Sequence, residues 1–192
     1  MKYRRIIDAA AVILIVSVFL NLQAYAAVDT ALQKSCAAVL ASLDLLHGDA
    51  RGNLKLSNKM KRSEFITLVN SSMSYDVKSD AGTVKIKYKD ITSKHWAYND
   101  IMAAAAHGII KAYGDNTIRP DKYVIDSEAL EIVLKALGYL NSDSEADPAE
   151  ILEKASGTGL SKNCVLAPDK QLTRGEAAIL IYNALTIDFA NT

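Results

Sequence analysis

Ile101-Met-Ala-Ala-Ala-Ala-His-Gly-Ile-Ile110, the loop Lys111 to Ile125, and then Asp126-Ser127-Glu128-Ala129 form the stretch on which the fold turns. The alanine-rich apolar run predicts a helix, Gly108 a turn, and the Glu after the polar loop the start of a second helix. The same plan occurs upstream in Cys36-Ala-Ala-Val-Leu-Ala-Ser-Leu-Asp-Leu-Leu46, the loop His47 to Lys61, and Arg62-Ser63-Glu64-Phe65. It occurs downstream in Ile151-Leu-Glu-Lys-Ala-Ser-Gly-Thr-Gly-Leu160, the loop Ser161 to Thr173, and Arg174-Gly175-Glu176-Ala177. Leu56, Pro120 and Pro168 each lie eight residues before the Glu of their unit, and Leu54, Ile118 and Leu166 two residues earlier, as one buried loop residue per unit would. Each unit reads as a helix–loop–helix hairpin that cannot cover its own apolar faces, so stacking against its neighbours must stabilise it. Leu130, Val133, Leu134 and Leu137, and Ile179, Tyr182 and Leu185, keep the helical spacing of a core stripe.

Between the first two units, Asp80-Ala81-Gly82 reads as a turn, and Thr83-Val84-Lys85-Ile86-Lys87-Tyr88 alternates polar and apolar residues as a half-buried strand does. The prediction is a mainly α chain with one short strand element before the second unit. The other linker, Asn141 to Asp147, is polar and acidic, and Pro148 suits the first turn of the helix that follows.

The first residues read as an export signal. Lys2, Arg4 and Arg5 give a positive start, Ala9 to Leu20 an uninterrupted apolar run, and Ala24-Tyr25-Ala26 the small-x-small pattern that signal peptidase reads, with the cut expected after Ala26. The run of 12 residues covers only about 18 Å as a helix, against roughly 30 Å of hydrocarbon, so no membrane association is expected after cleavage. Without Lys2, Arg4, Arg5 and Asp8 the remaining 166 residues hold 19 Lys and Arg against 21 Asp and Glu. Such a balance gives no electrostatic reason to expect nucleic acid as a partner. Two cysteines, Cys36 and Cys164, do not make a disulfide scaffold, and two free, buried thiols are expected.

Catalytic chemistries find little support. His47, His95 and His107 are scattered without metal-ligand spacing, and Asp49-Ala-Arg51-Gly-Asn53 places an Arg where a calcium loop needs a ligand. Nucleophile-elbow, zinc-protease and phosphate-loop patterns are absent. Glu64, Glu128 and Glu176 occupy equivalent places, which argues for one shared capping task rather than a catalytic pair. The expectation is no enzyme, no metal and no cofactor.

A family resemblance enters at the second unit. Tyr88-Lys89-Asp90-Ile91, His95-Trp96-Ala97-Tyr98-Asn99-Asp100-Ile101, Gly108-Ile109-Ile110 and Tyr113-Gly114-Asp115-Asn116-Thr117-Ile118-Arg119-Pro120 together resemble an S-layer homology motif. Leu172-Thr173-Arg174-Gly175-Glu176-Ala177-Ala178 resembles that family's Thr-Arg-Ala-Glu signature, and Lys61-Arg62-Ser63-Glu64-Phe65 is a looser copy. The resemblance covers roughly residues 31–188. It implies a mainly α, compact, pseudo-threefold arrangement of three helix–loop–helix repeats around a central bundle, divided as signal peptide 1–26 and repeats 27–75, 76–140 and 141–192. It also implies grooves between neighbouring repeats that bind secondary cell-wall polysaccharide, often pyruvylated.

A pyruvylated sugar needs a cation for its carboxylate, hydrogen bonds for its hydroxyls and a flat apolar face for its ring. Arg62 and Arg174 open second helices, where unpaired backbone N–H groups and the helix dipole favour an anion. The second unit departs, since Asp126 stands where the Arg should be and repels an anionic sugar unless Arg119 or Lys122 supplies the charge. Trp96 offers a stacking surface, although packing against its own hairpin is the stronger expectation. Gly114 and Asp115 suit a polar groove wall, with Gly114 equally suited to permitting a turn.

The reading is a non-catalytic secreted protein of the cell wall or cell surface, attached through wall polysaccharide held by Arg62, Arg174, Trp96, Gly114 and Asp115. The alternative is a degenerate repeat domain serving as a protein-interaction or structural module at the surface, with surface proteins rather than glycan as partners. Asp126 in place of an Arg, and the absence of a matching Trp in the first and third units, favour that second reading.

Overall fold

The computed structural model describes residues 30–143 and 146–190. The expected signal segment 1–26 lies outside the described residues. Among the described residues the chain is helical, with α1 over 30–42, α2 over Arg62–Ser72, α3 over Val77–Ala81, α4 over Tyr98–Ala106, α5 over Asp126–Ala136, α6 over Pro148–Gly157 and α7 over Arg174–Ala184. No described helix is long and apolar enough to cross a membrane.

Local chemistry explains where these helices start. Thr173 and Glu176 form a reciprocal cap on α7: the Glu176 N–H donates to the Thr173 hydroxyl (3.3 Å) and the Thr173 N–H to the Glu176 carboxylate (2.9 Å). Lys61 and Ile125 cannot accept with their side chains, so only the returning half survives on α2 and α5. There the N–H groups of Lys61 (2.8 Å) and Ile125 (3.4 Å) donate to Glu64 and Glu128. Asp147 accepts from Ala149 and Glu150 ahead of Pro148, as that proline's place suggests. Past α4 the chain turns at Gly108 with φ +67°, where an added Cβ would fall 2.5 Å from Ser142 Cβ.

The stretches just before α2, α5 and α7 are joined in a closed ring. Met60 N–H donates to Leu172 C=O (2.9 Å), Leu172 to Val124 (3.0 Å) and Val124 to Met60 (3.0 Å). Single antiparallel bridges flank the ring at Lys59 with Thr173, Lys61 with Tyr123, and Ile125 with Gln171. The first N–H groups of each helix then donate across it. Arg62 reaches Lys122 C=O (2.8 Å), Asp126 reaches Lys170 (2.9 Å) and Arg174 reaches Asn58 (2.8 Å). Ser63, Ser127 and Gly175 follow to Pro120, Pro168 and Leu56. Helix starts ordinarily leave such donors without intrahelical partners, and here the neighbouring stretch supplies each acceptor.

Helix packing follows the ring. α4 lies on α2 and on the short α3, and α6 lies on α5. α1 meets α7, where Leu32 and Cys36 share a cavity with Ile179 and Tyr182, and where a Cβ on Gly175 would collide with Gln33. The first helix of each predicted hairpin thus packs on the second helix of another one, which the long connecting loops permit. The core joins Leu40, Phe65, Ile66, Ile101, Leu130, Val133, Leu134, Leu137, Leu172 and Leu180.

Several expectations are corrected. Residues 84–88 form no strand: in place of a ladder, Lys89 N–H donates to Asn116 C=O, and the Asn116 amide donates to Lys87 C=O. An alternating pattern needs a partner edge, and the loop opposite offers only those two bonds. Asp80 and Ala81 close the short α3, whose start is capped by Asp76, and the expected turn follows at Gly82, where Thr83 N–H donates to Asp80 C=O (3.1 Å). On α7 Ile179 is buried but Tyr182 and Leu185 are exposed, while Leu180, Ile181 and Ala184 are buried. That helix is enclosed on most sides, so no single apolar stripe could be picked from its sequence. Among the loop residues Ile118 is buried and Leu54 and Leu166 half-buried. Cys36 is buried, which raises its thiol pKa, Cys164 is only half-buried, and no disulfide joins them.

Candidate functional site

Arg62, Asp126 and Arg174 are each the first residue of α2, α5 and α7, and each side chain crosses to a neighbouring segment. Their surroundings differ. Arg174 donates from Nε to Leu54 C=O (2.9 Å) and from Nη2 to His47 C=O (2.7 Å), at the edge of a cleft of about 230 Å³ that also holds Asn58 and Glu64. Asp126 is 1% exposed, accepting from Ala167 N–H (3.0 Å) and pairing with Lys170 (3.3 Å). Burial pushes the Asp126 carboxyl up, against the pull of Ala167 and Lys170. Lys170 also pairs with Glu176 at 2.7 Å. Burial opposes the Glu176 charge, yet Lys170 and Thr173 outweigh it and hold that carboxyl below its usual range. This corner is an ionic cluster whose charges answer one another, although Asp126 Oδ1 is left without a hydrogen-bond partner.

Arg62 stands apart. It is 6% exposed, its Nη1 lies 3.6 Å from Glu128 Oε2, and its Nε–H has no hydrogen-bond partner. It lines a cleft of about 290 Å³ with Tyr113, Glu128, Glu131, Ile132 and Lys135. The Tyr113 ring has the guanidinium carbons of Arg62 and Arg119 at 5.3 and 4.0 Å from its centre and Lys122 Nζ at 5.7 Å. Its hydroxyl donates to Glu128. Burial pushes that hydroxyl up to about 12, Arg62 pulling it down and the Glu128 hydrogen bond adding to the rise, so it stays a neutral donor. Three cations thus surround one ring, and the carboxylate among them is already hydrogen-bonded. A buried guanidinium with spare donors beside an aromatic face can hold a carboxylate and the flat side of a sugar ring.

Arg119 and Lys122 therefore gather with Arg62 around the Tyr113 ring without lining its cleft, whereas Lys170 answers Asp126. The expectation of unpaired N–H groups at the helix starts is also corrected, since the ring carbonyls take them. Anion affinity here rests on side chains.

Asp115 accepts from the Thr117 hydroxyl (2.6 Å) and N–H (3.1 Å) and from Arg119 Nη2 (3.1 Å). Those bonds, Thr117 first and Arg119 second, hold its carboxyl down at about 2. Gly114 does not sit in the left-handed region, and a Cβ there would meet nothing, so the turn does not require it. Asn116 and Arg119 take the positive φ values, at +63° and +54°. Trp96 is 61% exposed and stacks on His95 with ring centres 5.9 Å apart, which overturns the expected packing against its hairpin. His95 lies 3.9 Å from Asp121, which pairs with Lys61 at 2.7 Å, so Trp96 joins a surface cluster beside α2. Its neighbours Ala97 and Ile101 fill the core in its place. Arg174 lies at a different junction from Arg62.

Tyr113, Glu128 and Lys135 were not singled out as groove residues by the sequence. A Lys between Leu134 and Ala136 in an apolar run was the one available signal for Lys135.

Residues 87–125 match the model of the S-layer homology domain, the span that carries Trp96, Tyr113 and the Asp115–Arg119 turn. Over that span the chain is similar to an S-layer homology domain. Its relatives include a middle cell wall protein of Brevibacillus brevis, 27% identical over 149 residues, or 78% of this chain and 14% of that protein. A cell surface protein of Thermoanaerobacter kivui is 29% identical over 160 residues, covering 83% of this chain and 21% of that protein. A cellulosome-anchoring protein of Acetivibrio thermocellus is 33% identical over 101 residues, covering 51% of this chain and 22% of that protein. The chain thus spans less than a quarter of the length of these relatives, at 14%, 21% and 22%.

Proposed function

We propose that the chain is a non-catalytic, secreted cell-surface module of three S-layer homology repeats, 27–75, 76–140 and 141–192, that attaches to the cell wall by binding secondary wall polysaccharide. The observation that carries this reading is Arg62: a buried guanidinium with a partnerless Nε–H, lining a cleft beside the Tyr113 ring. The hydrogen-bonded ring of Met60, Val124 and Leu172 supports a pseudo-threefold arrangement, because equivalent positions of the three segments pair cyclically. Relatives named as wall, surface and anchoring proteins support the location and the attachment.

In this reading Arg62 takes an acidic group such as a pyruvate-ketal carboxylate, and Tyr113 and the exposed Trp96 offer apolar faces. Gly114 leaves the wall open, and Asp115 positions Arg119. Arg174 serves a second, shallower cleft, with two of its donors committed to backbone. Asp126 removes the third position from glycan binding.

The test is co-sedimentation of the protein with purified cell-wall sacculi, before and after their secondary polysaccharide is stripped. Binding lost on stripping is expected. Absence of binding to both preparations would favour the protein-interaction role, towards which the internal commitments of Asp126 and Arg174 point.

A further inference from the structure

The Arg62 cleft extends along α5. Glu128, Glu131 and Lys135 line it at spacings of three and four, which puts them on one helix face, with Ile132 between them. At about 1.5 Å per residue, Lys135 lies roughly 10 Å further along the axis than Glu128, the partner of Arg62. The Lys135 side chain is 3% exposed, and its ammonium reaches Glu131 Oε1 at 2.7 Å. A buried ammonium is costly unless well paired, and this one has three donors, of which Glu131 answers one. Leu134, Ala136 and Leu137 around it are core residues, so an apolar side chain would suit packing alone. Both carboxylates of the cleft already face cations: Glu128 has Arg62 and Lys122, and Glu131 has Lys135. Lys111, also in the lining, pairs with the open-surface Asp143 at 3.8 Å. Arg62 and Lys122 together outweigh Glu128, Glu131 balances Lys135, and Lys111 adds a further cation to the lining, so the cleft as a whole is left positive.

We propose that Lys135 is a second anion-reading residue of this cleft, so that the cleft takes an acidic glycan bearing two negatively charged groups, one against Arg62 and one against Lys135. The sugar between them would lie along Ile109 to Ala112 and Ile132, and Glu131 holds Lys135 in place until the ligand's own acid shares it. The inference rests on the polysaccharide reading and names the ligand class for the same site.

The experiment measures, by titration calorimetry, the affinity of the protein for polysaccharide released from sacculi. Lys135→Met keeps the buried stem and removes the charge; it is expected to weaken binding at least about tenfold while the folded state persists. Glu131→Gln frees Lys135 and is expected to tighten binding several-fold, which a merely structural lysine would not produce. Carboxyl reduction of the polysaccharide that erases the difference between wild type and Lys135→Met identifies carboxylates, and phosphatase treatment that does so identifies phosphates. A difference that survives both treatments, or unchanged or weaker binding by Glu131→Gln, overturns the proposal. Loss of binding by Arg62→Gln with none by a folded Lys135→Met overturns this inference and leaves the polysaccharide reading standing; no binding by wild type removes both.

Discussion

The guanidinium of Arg119 lies over the Tyr113 ring at 4.0 Å, and the carboxylate of Asp115 ties it there at 3.1 Å. Asp90 accepts from the backbone N–H groups of Ile118 (2.9 Å) and Arg119 (2.6 Å), which fixes the strained left-handed conformation at Arg119. A loop that would otherwise be polar and mobile is therefore pinned from both sides. Its cation is delivered to the aromatic ring that Arg62 approaches from α2. The S-layer homology motif supplies the loop, and the neighbouring segment supplies the buried partner.

The Asp115 turn has a defined acid limit. The folded carboxyl titrates at about 2 against an ordinary 3.8, with Thr117 and then Arg119 as causes. A depressed carboxylate adds stability that is present above the ordinary value and is lost as pH falls through the folded one. The turn should hold above about pH 4 and loosen between about 4 and 2. A carboxyl chemical-shift titration of Asp115 should give a midpoint near the low value in the wild type, moving upward in Arg119→Gln. A wild-type midpoint at the ordinary value would show that the two partners do not hold it.

Arg62 and Arg174 should separate binding from stability. Arg62→Gln removes the cleft's buried cation and should cut sacculus binding by tenfold or more, since truncating one partner of a buried charge pair typically costs at least about 2 kcal/mol. Arg174→Ala breaks two bonds to carbonyls, at Leu54 and His47, and should destabilise by roughly 1 to 3 kcal/mol while binding falls much less. Sedimentation assays and urea unfolding on the same two variants check both halves. Equal losses of binding would make the Arg174 cleft an equal partner.

Much of this was legible in the sequence, and the gaps have physical causes. The helices announced themselves through apolar runs with a Glu three residues past the cap, and the eight-residue register from Leu56, Pro120 and Pro168 to those Glu residues coincides with the cross-ring bonds these residues accept. The strand at 83–88 was misjudged because alternation reports a half-buried face and says nothing of a partner edge. The occupancy of helix-start N–H groups was invisible for the same reason: their acceptors come from 41 to 119 residues away. Trp96 was misplaced because Ala97 and Ile101, rather than the indole, fill the core at that turn. The cleft itself depends on Glu128 and Lys135 sharing a helix face with Tyr113 opposite, which no single motif encodes.

Gly108 should tolerate no side chain. Its φ of +67° is unfavourable for any L-residue, and an added Cβ would meet Ser142 Cβ at 2.5 Å. The left-handed conformation alone costs about 1 to 2 kcal/mol, and the clash adds to it. Gly108→Ala should lower the urea midpoint accordingly, with Ser142→Gly restoring part of the loss. Gly114→Ala, where nothing lies within reach and φ is not positive, is the matched control and should leave the midpoint unchanged.

Trp96 gives the clearest division between a packing and a ligand role. Truncating a buried aromatic costs about 3 to 5 kcal/mol, while a surface substitution stays within roughly 0.5 kcal/mol. With 61% of its surface open and only the His95 ring stacked on it, Trp96 belongs to the second class. Trp96→Ala should therefore unfold at the wild-type urea concentration. If the indole serves as a sugar platform, the same variant should bind sacculi more weakly, and its fluorescence in the wild type should shift when polysaccharide is added. A stable variant with unchanged binding would assign the exposed ring to some other surface contact. A destabilised one would mean that the indole packs as its motif first suggested.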